Sequence, residues 1–278
     1  VKDSEQTNIW YSSQVGAHTS EQRKTWYSSV ADAYNRVRPR YPQALINRAV
    51  ELAQLPADAQ ILELGCGPGI ATVPFAELGF SMVCLEPSQE SCDLARLNCA
   101  QYPNVEILNA AFEEWELEAE RFHAVLAATS FHWMPPEIAT SKSAAALRER
   151  GSLILLWNTA PQPAYEVYEV LRDIYQTWAP AISGYEEIAT HEENLRGLGQ
   201  GVIDSGRFEG FVSEQLVCEV IYNIDDYLAL LSTLSPYIRL DRHQRDSLFA
   251  GLREALDRHC GRSVETSYLS VLQIAQKI

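Results

Sequence analysis

Two stretches of this chain carry residue types that can hold a nucleoside cofactor. The first is Ile61-Leu62-Glu63-Leu64-Gly65-Cys66-Gly67-Pro68-Gly69, an apolar run that enters a glycine-rich turn. The second is Met82-Val83-Cys84-Leu85, which ends on Glu86, twenty-one residues after Gly65. Gly65 and Gly67 have no Cβ, so the chain can turn sharply and a ligand can approach the backbone. A carboxylate at the end of a second strand can accept hydrogen bonds from both hydroxyls of a ribose. The glycine spacing is G-x-G-x-G. A dinucleotide pyrophosphate site has its third glycine one residue later, where this chain has Ile70. Glu63 stands two residues before Gly65. A carboxylate there repels a pyrophosphate and suits a ligand with an ammonium group.

Those residues need a strand–turn–helix frame, and the flanking pattern supplies one. Pro42 is placed to open a helix carrying Leu45, Ile46, Ala49, Val50 and Ala53, and Pro56 lies beyond its end. Gln60 to Leu64 reads as a strand, Ile70 to Leu78 as a short helix closed by Gly79, and Ser81 to Leu85 as a second strand. Ser88 can N-cap a helix through Leu97. Val105 to Leu108 and Phe122 to Ala128 read as strands, Ser143 to Arg150 as a helix, and Leu153 to Trp157 as a strand. Strands alternating with helices predict an α/β fold, a mostly parallel sheet covered on both faces. After Asn158 the pattern changes. Pro161 and Pro163 break the chain, and Tyr165, Tyr168, Leu171, Tyr175 and Trp178 form an aromatic helical stripe. This stripe fits either core or pocket wall. The stretch to Arg207 reads as irregular and acidic. Glu214 to Tyr222 and Ser267 to Ile274 then finish the sheet as an antiparallel edge pair, with helices capped by Asp225 and Asp241 between them.

Composition narrows the partners. The 278 residues carry a net charge of -15 and no basic run, a poor match to nucleic acid or anionic membrane. No apolar run reaches the ~18 to 20 residues of a membrane span. The start, Val1 to Gln6, is polar with no apolar segment behind it, so a cytoplasmic protein is expected. The six cysteines include no C-x-x-C pair and read as reduced thiols; the six histidines lack metal-ligand spacing, so no metal is expected. Residues 1–24 read as an N-terminal arm, and Trp10-Tyr11-Ser12-Ser13 recurs once as Trp26-Tyr27-Ser28-Ser29. Residues 25–278 read as one domain with a lid helix at about 28–40 and a cap insertion at about 160–212. Monomer and homodimer both stay open.

The run ILELGCGPG followed by VCLEPS resembles the cofactor core of class I S-adenosylmethionine-dependent methyltransferases. The segment Val30 to Pro42 resembles the helix that covers the cofactor in small-molecule members. Ser130-Phe131-His132-Trp133 resembles the His-Trp pair of the trans-aconitate methyltransferase-like subgroup, and Asp226-Tyr227-Leu228 and Leu272 to Lys277 also fit it. The likeness runs from about residue 25 to the end. It implies a doubly wound, seven-stranded, Rossmann-like methyltransferase fold with an antiparallel edge and a helical cap. It also implies S-adenosyl-L-methionine as cofactor and a small-molecule methyl acceptor. By that resemblance Gly65, Cys66 and Gly67 would wrap the methionine part, with Glu63 near its amino group. Glu86 would hold the ribose, and Pro87 would pack on the adenine. Ala111 and Phe112 would meet the adenine edge. Many members carry Asp at the position of Ala111, so the Phe112 N–H would do more of the recognition here. Tyr34 and Arg38 of the lid and Thr129 after the fourth strand complete the cofactor set. His123 stands where an Asp is common.

The donor methyl of such an enzyme is already activated, so the protein mainly positions the acceptor and excludes water. His132, at the carboxyl end of the fourth strand, is read three ways: as a base, as a positioning or packing group, or as structure. Arg36, Arg38 and Arg40 on the lid favour an acidic acceptor in so acidic a chain. The expected function is methylation of a small molecule at a carboxylate or hydroxyl oxygen. A non-catalytic S-adenosylmethionine-binding protein is one rival. A nicotinamide-dependent dehydrogenase is another, and Ile70 and Glu63 argue against it.

Overall fold

The computed structural model describes residues 27–278, so the arm expected at residues 1–24 lies outside them. The chain runs through α1 (Ala31–Val37), α2 (Gln43–Leu52), β1 (Gln60–Leu64), α3 (Thr72–Glu77), β2 (Ser81–Leu85), α4 (Gln89–Asn98), β3 (Val105–Leu108), β4 (Phe122–Ala128), α5 (Pro136–Ala146) and β5 (Leu147–Asn158). It continues through β6 (Gln162–Pro163), α6 (Tyr165–Trp178), α7 (Ile188–Asp204), β7 (Phe208–Asn223), α8 (Ile224–Ser232), α9 (Ser235–Ile238), α10 (Arg242–His259) and β8 (Ser263–Lys277).

Strands β3-β2-β1-β4-β5 are parallel neighbours in that order. The antiparallel edge follows: β8 pairs with β5, and β7 pairs with β8 over nearly its whole length. The two-residue β6 adds to these seven by pairing with Ser267 and Thr266 of β8. Strand order reverses direction between β1 and β4, the switch point where open α/β sheets leave a crevice beyond their carboxyl ends.

Side chains alternate between the two faces of the sheet. Leu62, Leu64, Val83, Leu85 and Val125 join the core on one face. Ile61, Met82, Cys84, Ala124 and Leu126 join the core on the other, under α2 and α3. Both faces are covered, so β1 and β2 are buried along almost their whole length. Each fully buried aliphatic side chain contributes about 1.5–3 kcal/mol. A third core joins α1 to α6, α8 and α10: Val37, Leu171, Tyr175, Tyr227, Leu248 and Leu252.

Two expectations are corrected. Ser143 to Arg150 is not one helix: α5 starts at Pro136 and ends at Ala146, and Leu147 to Arg150 begin β5. Leu147 is fully buried and pairs with Phe122, so tertiary pairing overrides the helical pattern. The stretch before Arg207 is not irregular, because Ile188 to Asp204 form the helix α7.

Candidate functional site

A cavity of about 1000 Å³ opens beyond the carboxyl ends of β1, β2, β4 and β5. This is the upper end of the ~300–1,000 Å³ range of small-molecule sites. Of the residues singled out in the sequence, Tyr34, Arg38, Gly65, Gly67, Glu86 and Pro87 line it, as do Ala111, Phe112, Thr129 and His132.

The turn after β1 is built by backbone shape. Gly65 has φ +65°, and a Cβ there would stand 2.9 Å from the Cβ of Ser130. Gly67 has φ +54°, and a Cβ there would meet nothing within 4 Å, so its surface is open. The Gly67 N–H donates to Glu86 Oε2 at 2.9 Å, and the Ser88 N–H donates to Glu86 Oε1 at 2.8 Å. Glu86 is thereby fixed at the end of β2, only 8% exposed. Burial pushes its carboxyl above the ordinary carboxylate range, while the two N–H donors pull it back. Each oxygen keeps lone pairs for further donors.

The turn after β3 forms the next wall. Phe112 is 4% exposed and stacks on Trp115 with ring centroids 6.3 Å apart. Lys142, from α5, reaches beneath this turn. Its ammonium donates to Phe112 O at 2.7 Å, to Glu113 O at 3.2 Å and to Trp115 O at 2.5 Å. Its Nζ also lies 5.3 Å from the Phe112 ring centroid. Three donors meeting three carbonyls fix the turn, and no local pattern in the sequence marks Lys142 for this.

The end of β4 carries backbone strain. Thr129 has φ +54°, a region that costs a residue with a Cβ about 1–3 kcal/mol. Its Oγ1 accepts from the Asn158 N–H at 3.2 Å and shares a 2.8 Å hydrogen bond with Tyr41 OH. The Asn158 amide in turn donates to Pro39 O at 3.1 Å. This network, unmarked in the sequence beyond its place at strand ends, ties the segment between α1 and α2 to the sheet. His132 is 6% exposed, with its ring 4.7 Å from Trp133 and 5.6 Å from Trp157. The aromatic stripe of α6 divides: Tyr168, Leu171 and Tyr175 line the cavity, Tyr165 is exposed, and Trp178 packs on His243.

Two residues expected at the cofactor, Glu63 and Cys66, are not in the lining of this cavity. Glu63 does not line the cavity: it is fully buried on the α3 face, where Thr72 Oγ1 donates to its Oε2 at 2.6 Å. Strand alternation explains this, since Glu63 shares a face with Ile61. Cys66 is also outside the lining and buried, with its N–H donating to Leu85 O at 3.0 Å. Of Arg36, Arg38 and Arg40, only Arg38 lines the cavity. Its Nε donates to Thr233 Oγ1 and its Nη2 to Thr233 O, both at 2.8 Å. Arg36 pairs with Asp226 at 3.1 Å, and Arg40 donates to Asn35 O. His123 is remote from the cavity, and its Nδ1 accepts from the Gln60 N–H at 3.0 Å. Among the described residues no cluster of three His, Cys, Asp or Glu side chains could hold a metal. No described helix is long and apolar enough to cross a membrane.

Comparison with known proteins agrees with this architecture. Residues 61–151 match the model of a methyltransferase domain family. An uncharacterized methyltransferase of Mycobacterium bovis is 38% identical over 46% of this chain and 49% of its own length. The chain thus spans about half of that relative. A solved structure from Anaeromyxobacter dehalogenans, assigned as a type II methyltransferase, superposes with a TM-score of 0.63 at 22% identity. That superposition covers 86% of this chain and 97% of the other, and it shows the fold. The [4+2]-cyclase SpnF shares the fold at a TM-score of 0.56 and 14% identity, over 95% of this chain and 98% of its own. An uncharacterized methyltransferase-like protein of Schizosaccharomyces pombe is 31% identical over 81% of this chain and 83% of its own length. With that breadth of identity carried on this sheet and glycine turn, the chain belongs to the class I S-adenosylmethionine-dependent methyltransferases.

Proposed function

We propose that this protein transfers a methyl group from S-adenosylmethionine to a carboxylate or hydroxyl oxygen of a small molecule. The observation that carries this reading is the Glu86 carboxylate, held by the N–H groups of Gly67 and Ser88 at the mouth of an open glycine turn. When bound, S-adenosylmethionine supplies an activated methyl on a sulfonium. The chain's own residues bind, orient and exclude water. Glu86 would accept from the ribose hydroxyls, and Pro87 would pack on the adenine. The turn held by Lys142 would present the Phe112 backbone to the adenine edge. Arg38, fixed by Thr233, would face the methionine carboxylate. The fit is supported by the donor set: the Glu86 carboxylate and the Arg38 guanidinium both line the cavity. The likeness of Ser130 to Trp133 to the trans-aconitate methyltransferase-like subgroup supports an oxygen acceptor. His132, packed between two tryptophans, would position that acceptor, which needs no base if it is an ionised carboxylate. Six unpaired cysteines, four of them buried, fit a reducing, cytoplasmic setting.

The test is an acceptor panel weighted toward carboxylic acids, read out as S-adenosylhomocysteine. Turnover of acids supports the reading. Turnover of amines alone refutes the oxygen assignment. A second reading, binding of the cofactor without methyl transfer, is supported by the cyclase on the same fold, because fold does not fix chemistry. Tight binding of S-adenosylhomocysteine with no turnover across the panel would favour it.

A further inference from the structure

Tyr168, Tyr175, Tyr185, Tyr227 and Tyr237 line the cavity, and four of their hydroxyl groups are bonded within the protein. Tyr168 OH donates to Ser183 O, and Tyr185 OH donates to Pro163 O at 3.4 Å. Tyr175 OH and Tyr237 OH share a 2.7 Å hydrogen bond. Trp157 Nε1 likewise donates into the core, to Gln273 Oε1 at 3.0 Å. With the polar ends committed, rings are what these side chains offer to a ligand. Rings of Tyr168 and Tyr185 lie 5.2 Å apart at 47°, and those of Tyr168 and Tyr175 lie 6.5 Å apart and stack. Leu171, Ile182, Leu231 and Leu234 line the same cavity. Tyr227 alone among these five tyrosines has a hydroxyl with no partner among the described residues, so it leaves one polar point in the wall.

Charge gives the same direction. Glu86, Glu113, Glu186 and Glu193 line the cavity against Arg38 and Arg239. The Arg38 guanidinium is already bound to Thr233, and Glu186 faces His191 at 3.4 Å. Several negative charges on one ligand would meet this acidic lining at short range, where like charges repel by kcal/mol amounts. Aromatic walls recognise rings by stacking and edge contacts.

From these observations we infer that the methyl acceptor is an apolar, ring-bearing molecule with a single polar or charged group, and not a small polyanion. This inference rests on the methyltransferase reading above and departs from the acceptor of the subgroup its sequence resembles.

The test uses the full chain saturated with S-adenosylhomocysteine and the fluorescent probe 2-naphthol, with citrate as competitor. The expected result is saturable binding of one 2-naphthol that citrate does not displace. Tyr185→Ala should weaken it at least about tenfold, a change of ~1.4 kcal/mol. Tyr185→Phe, which restores the ring without the hydroxyl, should recover it. The affinity for S-adenosylhomocysteine should stay the same in Tyr185→Ala, which separates a lost contact from a misfolded cap. Absence of 2-naphthol binding, displacement by citrate, or equal binding by Tyr185→Ala would each overturn the inference. Failure of the wild type to bind S-adenosylhomocysteine would instead overturn the reading beneath it.

Discussion

Replacing Glu63 by Gln should stabilise the protein at alkaline pH and leave it nearly unchanged at acid pH. Glu63 is fully buried. One carboxyl oxygen accepts from Thr72 Oγ1 at 2.6 Å and from Cys84 Sγ at 3.6 Å, and Oε1 has no partner. Burial raises its pKa from the ordinary 4.5 to about 7; the Thr72 and Cys84 hydrogen bonds oppose the rise, and the charge of Glu86 adds slightly to it. The folded pKa is above the unfolded one, so the folded state binds the extra proton between these values. Stability from this group is therefore full below about pH 4.5 and is lost as pH rises through about 7. At about 1.4 kcal/mol per pH unit, the loss approaches roughly 3 kcal/mol above pH 7. A glutamine keeps the shape and an oxygen for Thr72 without the ionisation. Urea unfolding at pH 5 and pH 8 measures the effect: Glu63→Gln should match the wild type at the lower pH within about 1 kcal/mol and exceed it by about 2–3 kcal/mol at the higher. Because Glu63 does not line the cavity, S-adenosylhomocysteine affinity should change by less than about threefold. A stability difference that is the same at both pH values would refute the reasoning, and a large loss of affinity would return Glu63 to the cofactor's ammonium.

Gly65→Ala should cost about 1–3 kcal/mol of stability, from φ +65° and the 2.9 Å approach to Ser130, and urea unfolding should show it. Lys142→Met should weaken S-adenosylhomocysteine binding about tenfold by calorimetry, because three carbonyls of the Phe112 turn lose their donor, while Lys142→Arg should recover part of it. His132→Asn should lower kcat for an ionised carboxylate acceptor by less than the ~100-fold expected of a lost general base, with no new pH dependence in the rate. A loss of ~100-fold or more, with the rising limb of the wild-type pH–rate profile gone in the variant, would make His132 the base.

The parallel sheet and its glycine turn were legible because both rest on local rules. Buried strands between two helical layers need continuous apolar runs, and a turn at positive φ needs Gly65 and Gly67. Residue direction was less legible. Glu63 falls on the α3 face because alternation along β1 places it there, and a motif read as a string ignores alternation. Arg36 and Arg40 lie two residues to either side of Arg38, yet they pair with Asp226 and Asn35 and do not line the cavity. The helix α7 was hidden by Gly197, Gly199 and Gly201, which look like loop signals. Gly199 has a tertiary reason: a Cβ there would lie 2.2 Å from Phe211 Cζ. Lys142 could not be found at all, since its partners lie nearly thirty residues away and are backbone carbonyls.

The central claim is that Glu86, fixed by the Gly67 and Ser88 N–H groups, holds the ribose of S-adenosylmethionine. Titration calorimetry of S-adenosylhomocysteine against the wild type and Glu86→Ala tests it most directly. Tight one-to-one binding to the wild type is expected, with a loss of at least about 2 kcal/mol, some thirtyfold, in the variant, whose fold is checked by its unfolding curve. Equal affinity in the two proteins, with the variant folded, would contradict it.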